Sequence, residues 1–162
     1  MLMLAKVVEY LRSNGVPFRL LSYAASEPEP RVAHRSPETL AVDTHVVLID
    51  GRASLACLPR GEKVNIPGLL ATLHARFIEE EGARDVLPWP FGSSAFPIPP
   101  LGRMLGAPLF VDQALLRAPI LCFEAFSPSD FLELTFDDFA RLERPRVEAV
   151  AVAGELPAAS PH

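Results

Sequence analysis

Lysine is almost absent from this chain. Lys6 and Lys63 are the only two among 162 residues, and Asp plus Glu outnumber Lys plus Arg by 20 to 15, a net charge of −5. Proteins that grip nucleic acid across a broad surface need clustered cations that release counterions from phosphates. That class is excluded, and DNA with it. Any contact with RNA has to come from a local patch, such as Arg31 with Arg35, or the group Arg141, Arg144 and Arg146.

Cysteine is scarce as well. Cys57 and Cys122 each sit inside an apolar run, SLACLP and PILCFEA, which suits buried reduced thiols and gives no disulfide framework. His34, His45, His74 and His162 are scattered, without the short spacing to Cys or carboxylate that a zinc site requires. Neither a metal nor a cofactor is expected. Long apolar runs are missing: Lys6, Glu9 and Arg12 interrupt the N-terminal one before it can serve as a signal-peptide core, and prolines and charges break the others. A soluble cytoplasmic protein is the expectation. Gly-rich phosphate loops, Gly-x-Ser-x-Gly elbows, HExxH helices and internal repeats are also missing, which removes the usual nucleotide, esterase and metalloprotease signatures.

What remains is a chain 49% apolar, long enough for one sizeable core and too short for two ordinary domains. A single domain over residues 1–153 is expected. The tail GELPAASPH (154–162) has the composition of a linker or flexible end to which another domain could be joined.

Leu4, Val7, Val8 and Leu11 recur at helical spacing before Asn14-Gly15, predicting a helix over 2–13. PFRLLSY (17–23) reads as a strand, and Ser36-Pro37-Glu38 as the start of a short helix at best. HVVLI (45–49) and ASLACL (53–58) are joined through Asp50-Gly51, which predicts a tight hairpin. Asn65 caps the next helix, with Leu69, Leu70, Leu73 and Phe77 as its buried stripe and Glu79 to Glu81 as its solvated end. Residues 86–101 are rich in Pro, Gly and Ser and predict a long stiff loop. Strands follow at 107–111, 118–125 and 131–134, then a short helix from Thr135 through Leu142 with Asp138 in its capping box, and a last strand at 146–153.

The most distinctive stretch is FPIPPLG (96–102) followed by Val111-Asp112: a Pro-Pro-x-Gly turn feeding a short apolar strand. Together with THVVLIDG, LPRGEKVN, FVDQALL and FLELTFDDFARL, in this order and spacing, it resembles the YbaK family, the prolyl-tRNA-synthetase-associated domains that hydrolyse mischarged aminoacyl-tRNA. The resemblance runs from the first helix to Leu142. It implies an α+β fold: a mixed, partly barrel-like sheet flanked by helices, with an aminoacyl pocket at one end and aminoacyl-tRNA as partner.

The family's functional lysine, aligned through VVLID, falls on Thr44, with His45 after it. A threonine hydroxyl can donate or accept a hydrogen bond but supplies no fixed charge. The implied substrate-binding set is Phe96, Pro97, Ile98, Pro99, Pro100, Leu101, Gly102, Asp112, Phe126 and Ser127. Within it, Phe96 and Pro97 stand where relatives carry Gly and a small residue, and Phe126 where they carry glycine. Asp112, at the start of a turn, suits capping better than acid catalysis. Successive strand residues face opposite sides, so Thr44 and His45 are not expected to share a pocket. Two function classes stay open: an editing deacylase with an altered pocket, and a non-catalytic module that binds a small ligand, a tRNA end or a protein.

Overall fold

Hydrophobic spacing sets the first element. The structure, a computed structural model, describes residues 2–22, 38–93, 96–127 and 129–153. Helix α1 spans Leu2–Ser13 and buries Val7 and Leu11. It stops where Gly15 takes a left-handed φ of 66°, which lets the Val16 N–H donate back to the Leu11 carbonyl at 3.0 Å. Strand β1 (Arg19–Ser22) follows, and then the hairpin of β2 (Thr39–Ile49) and β3 (Arg52–Pro59). Its two-residue turn holds Asp50 at φ 49° and Gly51 at φ 86°, the positive pair that matches the twist of paired strands.

Beyond the hairpin lie β4 (Lys63–Val64), α2 (Ile66–Leu73) and β5 (Ile78–Glu79), then 3-10 turns at Ala83–Val86 and Phe91–Ser93, and a short α3 (Gly102–Leu105). The chain continues through β6 (Leu109–Asp112), a 3-10 turn (Gln113–Arg117), β7 (Ile120–Glu124), β8 (Asp130–Thr135), α4 (Phe136–Glu143), β9 (Arg146–Glu148) and β10 (Ala151–Val152). Seven strands form one sheet in the order β1-β8-β7-β2-β3-β6-β9, with β5 added on β2 as the eighth; β10 and β4 make a separate ribbon. The pairs β2/β7, β3/β6 and β6/β9 are parallel and the rest antiparallel. The architecture is α+β with a mixed sheet. Its ends, β1 and β9, are not paired with each other among the described residues, so the sheet does not close.

Strand alternation sorts the core. Val42 and Val46 of β2 face the main cluster, with Val7, Leu11, Ile98, Leu101, Leu105, Phe123, Phe126 and Phe139, whereas Val47 faces a second cluster covered by Leu69 of α2. Each fully buried leucine in the first cluster, Leu101 included, contributes about 2 kcal/mol through area removed from water.

Three local expectations are corrected. Helix α2 ends at Leu73, because His74 turns left-handed at φ 53°; Phe77 therefore lies beyond it and is 46% exposed, not part of a buried stripe. Glu79 to Glu81, expected as the helix's solvated end, are exposed but lie beyond the helix, and Glu79 belongs to β5, where Ile78 is buried opposite Ile49. The last strand is broken in two, because a carboxylate from β6 takes the amides at the break. The caps at Asn65 and Thr135 are in place, accepting from the Gly68 and Asp138 N–H groups, each at 3.1 Å. The helix start expected at Ser36-Pro37 and the tail 154–162 lie outside the described residues.

Candidate functional site

Strand β2 is flanked by β3 along one side, from Val42 to Ile49. On its other side β7 pairs only with Thr39 to Ala41, and β5 only with Leu48 and Ile49. Between them the ladder is interrupted. The Ala41 carbonyl accepts from Arg60 of the β3 end, so odd-numbered residues turn their amides toward β3, and the amides of Thr44 and Val46 face the interruption. The Thr44 side chain lies on the same face as Val42 and Val46, and its Oγ1 is buried without a hydrogen-bond partner. Unpaired buried hydroxyls are costly, and their persistence marks a place where a ligand or water can bond.

The 96–102 loop reaches the same face. Ile98, Leu101 and Leu105 belong to the main cluster with Val42, Val46 and Phe126. Pro99, Pro100 and Gly102 are buried too, Pro97 is half-buried, and the Phe96 side chain is 46% exposed. Gly102 is required by close approach: a Cβ there would stand 2.5 Å from the Ala107 carbonyl. Its helix is held by Glu143, whose Oε1 accepts from the Arg103 N–H at 3.1 Å while Tyr10 donates to Oε2 at 2.6 Å. Burial pushes the Glu143 carboxyl up, opposed by these hydrogen bonds and by Arg103.

Phe126 is bound to this loop directly, its N–H donating to the Pro97 carbonyl at 2.8 Å. It is a non-glycine residue at φ 60°, and its ring is buried and stacked on Phe91 with centroids 5.7 Å apart. The left-handed backbone explains why glycine is favoured at such a position. Here the ring occupies the space that a glycine would leave open.

Other sequence candidates have structural partners. Asp112 is buried; its Oδ2 accepts from the Ala114 N–H at 3.0 Å, and Oδ1 accepts from Val150 and Ala151, both at 3.1 Å. It caps one turn and clamps the C-terminal strands. Ser127 donates to Asp130 Oδ2 at 2.6 Å and accepts from the Ser129 N–H, closing the turn before β8. His45 extends from the opposite face of β2 to Thr44, with Nδ1 3.9 Å from Glu80. Arg141 and Arg146 are paired with Asp138 and Glu148, both at 2.6 Å, which lowers the net charge of that arginine group. Arg31 and Arg35 lie outside the described residues. Among the described residues no group of three His, Cys, Asp or Glu could hold a metal ion, and no helix is long and apolar enough to cross a membrane.

One residue at this site escaped the sequence reading. Arg84, in the first 3-10 turn, donates from Nη2 to the Phe96 carbonyl, while its Nε is buried without a partner. Its turn packs against β2 and β3, and the neighbouring Ala83 lies in the main cluster. Burial pushes the guanidinium pKa down from its ordinary value. A lone arginine between Ala83 and Asp85 in an exposed-looking segment carries no local signal of this role.

No protein-family model matches the chain, and no curated protein matches it in sequence. Solved structures do. The hypothetical protein APE2540 superimposes with a TM-score of 0.70 at 21% identity, covering 91% of this chain and 99% of that one. A protein provisionally described as a trans-editing enzyme for prolyl tRNA synthetase matches at 0.67 and 16%, covering 92% and 96%. The chain has a YbaK-like fold. A protein from Marinobacter aquaeolei VT8, provisionally described as a signal transduction protein, contains a similar unit: the match has a TM-score of 0.67 at 16% identity and covers 90% of this chain but only 30% of that one. At such identities the likeness establishes the YbaK-like fold, and the chemistry has to be argued from the site.

Proposed function

We propose that this chain is a deacylase-type, trans-editing domain that binds the aminoacylated end of tRNA and hydrolyses the ester of a mischarged amino acid. The observation that carries this reading is the interrupted edge of β2 at Thr44, on the same apolar face as the 96–102 loop that Pro97 joins to Phe126. An interrupted strand edge offers backbone N–H and C=O groups to an amino acid in the way a neighbouring strand would. The Thr44 hydroxyl adds one further donor or acceptor.

In this reading, water attacks the ester carbonyl carbon, the bond to the ribose oxygen breaks, and that oxygen leaves with a proton as a hydroxyl. The developing oxyanion is stabilised by N–H groups without a lysine. Removing one preorganised donor from such a hole lowers rates by about 100-fold to 1,000-fold, so slow turnover is expected beside a lysine-bearing relative.

Thr44 at the lysine position and the buried Phe126 ring favour a second reading, a module that binds the same aminoacylated end without turnover. Deacylation of a panel of mischarged tRNAs, with an active lysine-bearing relative as control and binding of a non-hydrolysable aminoacyl-adenosine amide measured alongside, separates the two. Slow hydrolysis of one or a few members supports the deacylase. Binding with no hydrolysis supports the module, and no binding at all refutes both.

A further inference from the structure

We propose that Arg84, anchored on the Phe96 carbonyl, is a phosphate-binding residue at the rim of the candidate pocket. The site rests on the proposed function for the identity of its ligand and on geometry for its existence. Arg84 is half-buried, Nη2 holds the loop, and Nε is fully covered with no acceptor. No carboxylate pairs with it among the described residues, whereas Arg60, the other half-buried arginine among them, pairs with Asp43 and Glu124.

Its covered Nε–H has no acceptor, a cost that an anion reaching the guanidinium would offset. The guanidinium fork matches phosphate oxygens, and it donates several hydrogen bonds at once. Its location adds a second argument. Phe96 directly precedes Pro97, whose carbonyl holds Phe126, so the carbonyl that Arg84 holds is one residue from the contact between the loop and Phe126. The end of a tRNA presents an aminoacyl ester with a phosphodiester one ribose away. A pocket that binds the first brings the second toward its rim.

The test uses the full chain with two probes: an adenosine carrying an amide-linked amino acid, and the same molecule with a 5′-phosphate. The 5′-phosphate is expected to tighten binding about tenfold in the wild type, an increment worth about 1.4 kcal/mol. Read in each protein as the ratio of its own two affinities, this gain should vanish in Arg84→Met and be partly kept in Arg84→Lys, whatever loss of the Phe96 clasp does to the unphosphorylated probe. A third arm follows the Arg84 Nε–H by NMR during titration with inorganic phosphate, using chloride at equal ionic strength as reference; movement with phosphate alone is expected.

Equal affinity of the wild type for both probes overturns the phosphate site and leaves the aminoacyl pocket standing. Binding of neither probe refutes the aminoacyl pocket, and the inorganic phosphate arm then decides the anion site by itself. An Arg84→Met protein that melts at lower temperature yet keeps the full phosphate increment shows Arg84 to be only a loop clasp, and overturns the proposal. A silent Nε–H in inorganic phosphate does so as well.

Discussion

The Phe126 N–H donates to the Pro97 carbonyl at 2.8 Å, tying the left-handed turn at Phe126 to the 96–102 loop. A proline in the loop removes its own N–H from the site but leaves its carbonyl free to hold the opposite wall. Pro97 and Phe126 are thus parts of one contact.

Phe126→Gly sets two effects against each other. Glycine relieves a left-handed backbone at φ 60°, worth about 1 kcal/mol, while removal of a buried ring stacked on Phe91 costs about 3–5 kcal/mol. A net loss of about 2–4 kcal/mol is expected in urea unfolding. The vacated volume should also let Thr44→Lys raise deacylation further in the double variant than alone, by about tenfold or more. Unchanged stability would show that the ring is not packed as described.

Thr44→Val should separate stability from binding. The buried Oγ1 has no partner, so its removal is expected to stabilise the fold by about 1 kcal/mol. The same change should weaken the aminoacyl-adenosine amide by about tenfold if the hydroxyl bonds the ligand. A variant both more stable and fully competent in calorimetric titration would remove Thr44 from the binding set.

Asp112→Ala is expected to act on the fold. Three N–H groups lose a carboxylate acceptor, and of these Val150 keeps the Glu148 carbonyl at 3.0 Å, for a cost of about 2 kcal/mol. Amide exchange at Val150 and Ala151 should accelerate more than exchange in β7. A protein of normal stability that no longer binds ligand would return Asp112 to the substrate-binding set.

Glu143 gives a pH signature. Burial raises its carboxyl above the ordinary value of 4.5, so on raising the pH the unfolded chain releases this proton first. The unfolded state then binds fewer protons than the folded state, and this residue's contribution to stability falls from pH 4.5 up to its raised folded value. Glu143→Gln lacks that dependence. The urea midpoint of the wild type minus that of the variant should therefore decrease as the pH is raised above 4.5, and a constant difference would count against the burial effect.

Local chemistry made several elements legible in the sequence. Helix α1 with its Gly15 stop, the Asp50-Gly51 hairpin, and the Asn65 and Thr135 caps each depend on residues within a few positions of one another. The order of PIPPLG and Val111-Asp112 carried the fold by resemblance, and the solved structures bear out that fold. Tertiary structure decided the rest, because it arises from contacts between distant segments. The interruption beside Thr44 exists only because β7 and β5 stop pairing at different ends of β2. Asp112 broke the last strand by accepting from amides 38 and 39 residues away, which no window of neighbouring residues reveals. Arg84 reads as an ordinary surface cation until the fold covers its Nε and turns Nη2 onto Phe96. Sequence determined which segments could be helix, strand or turn; packing determined which polar groups, such as Thr44 Oγ1 and Arg84 Nε, were left buried without partners.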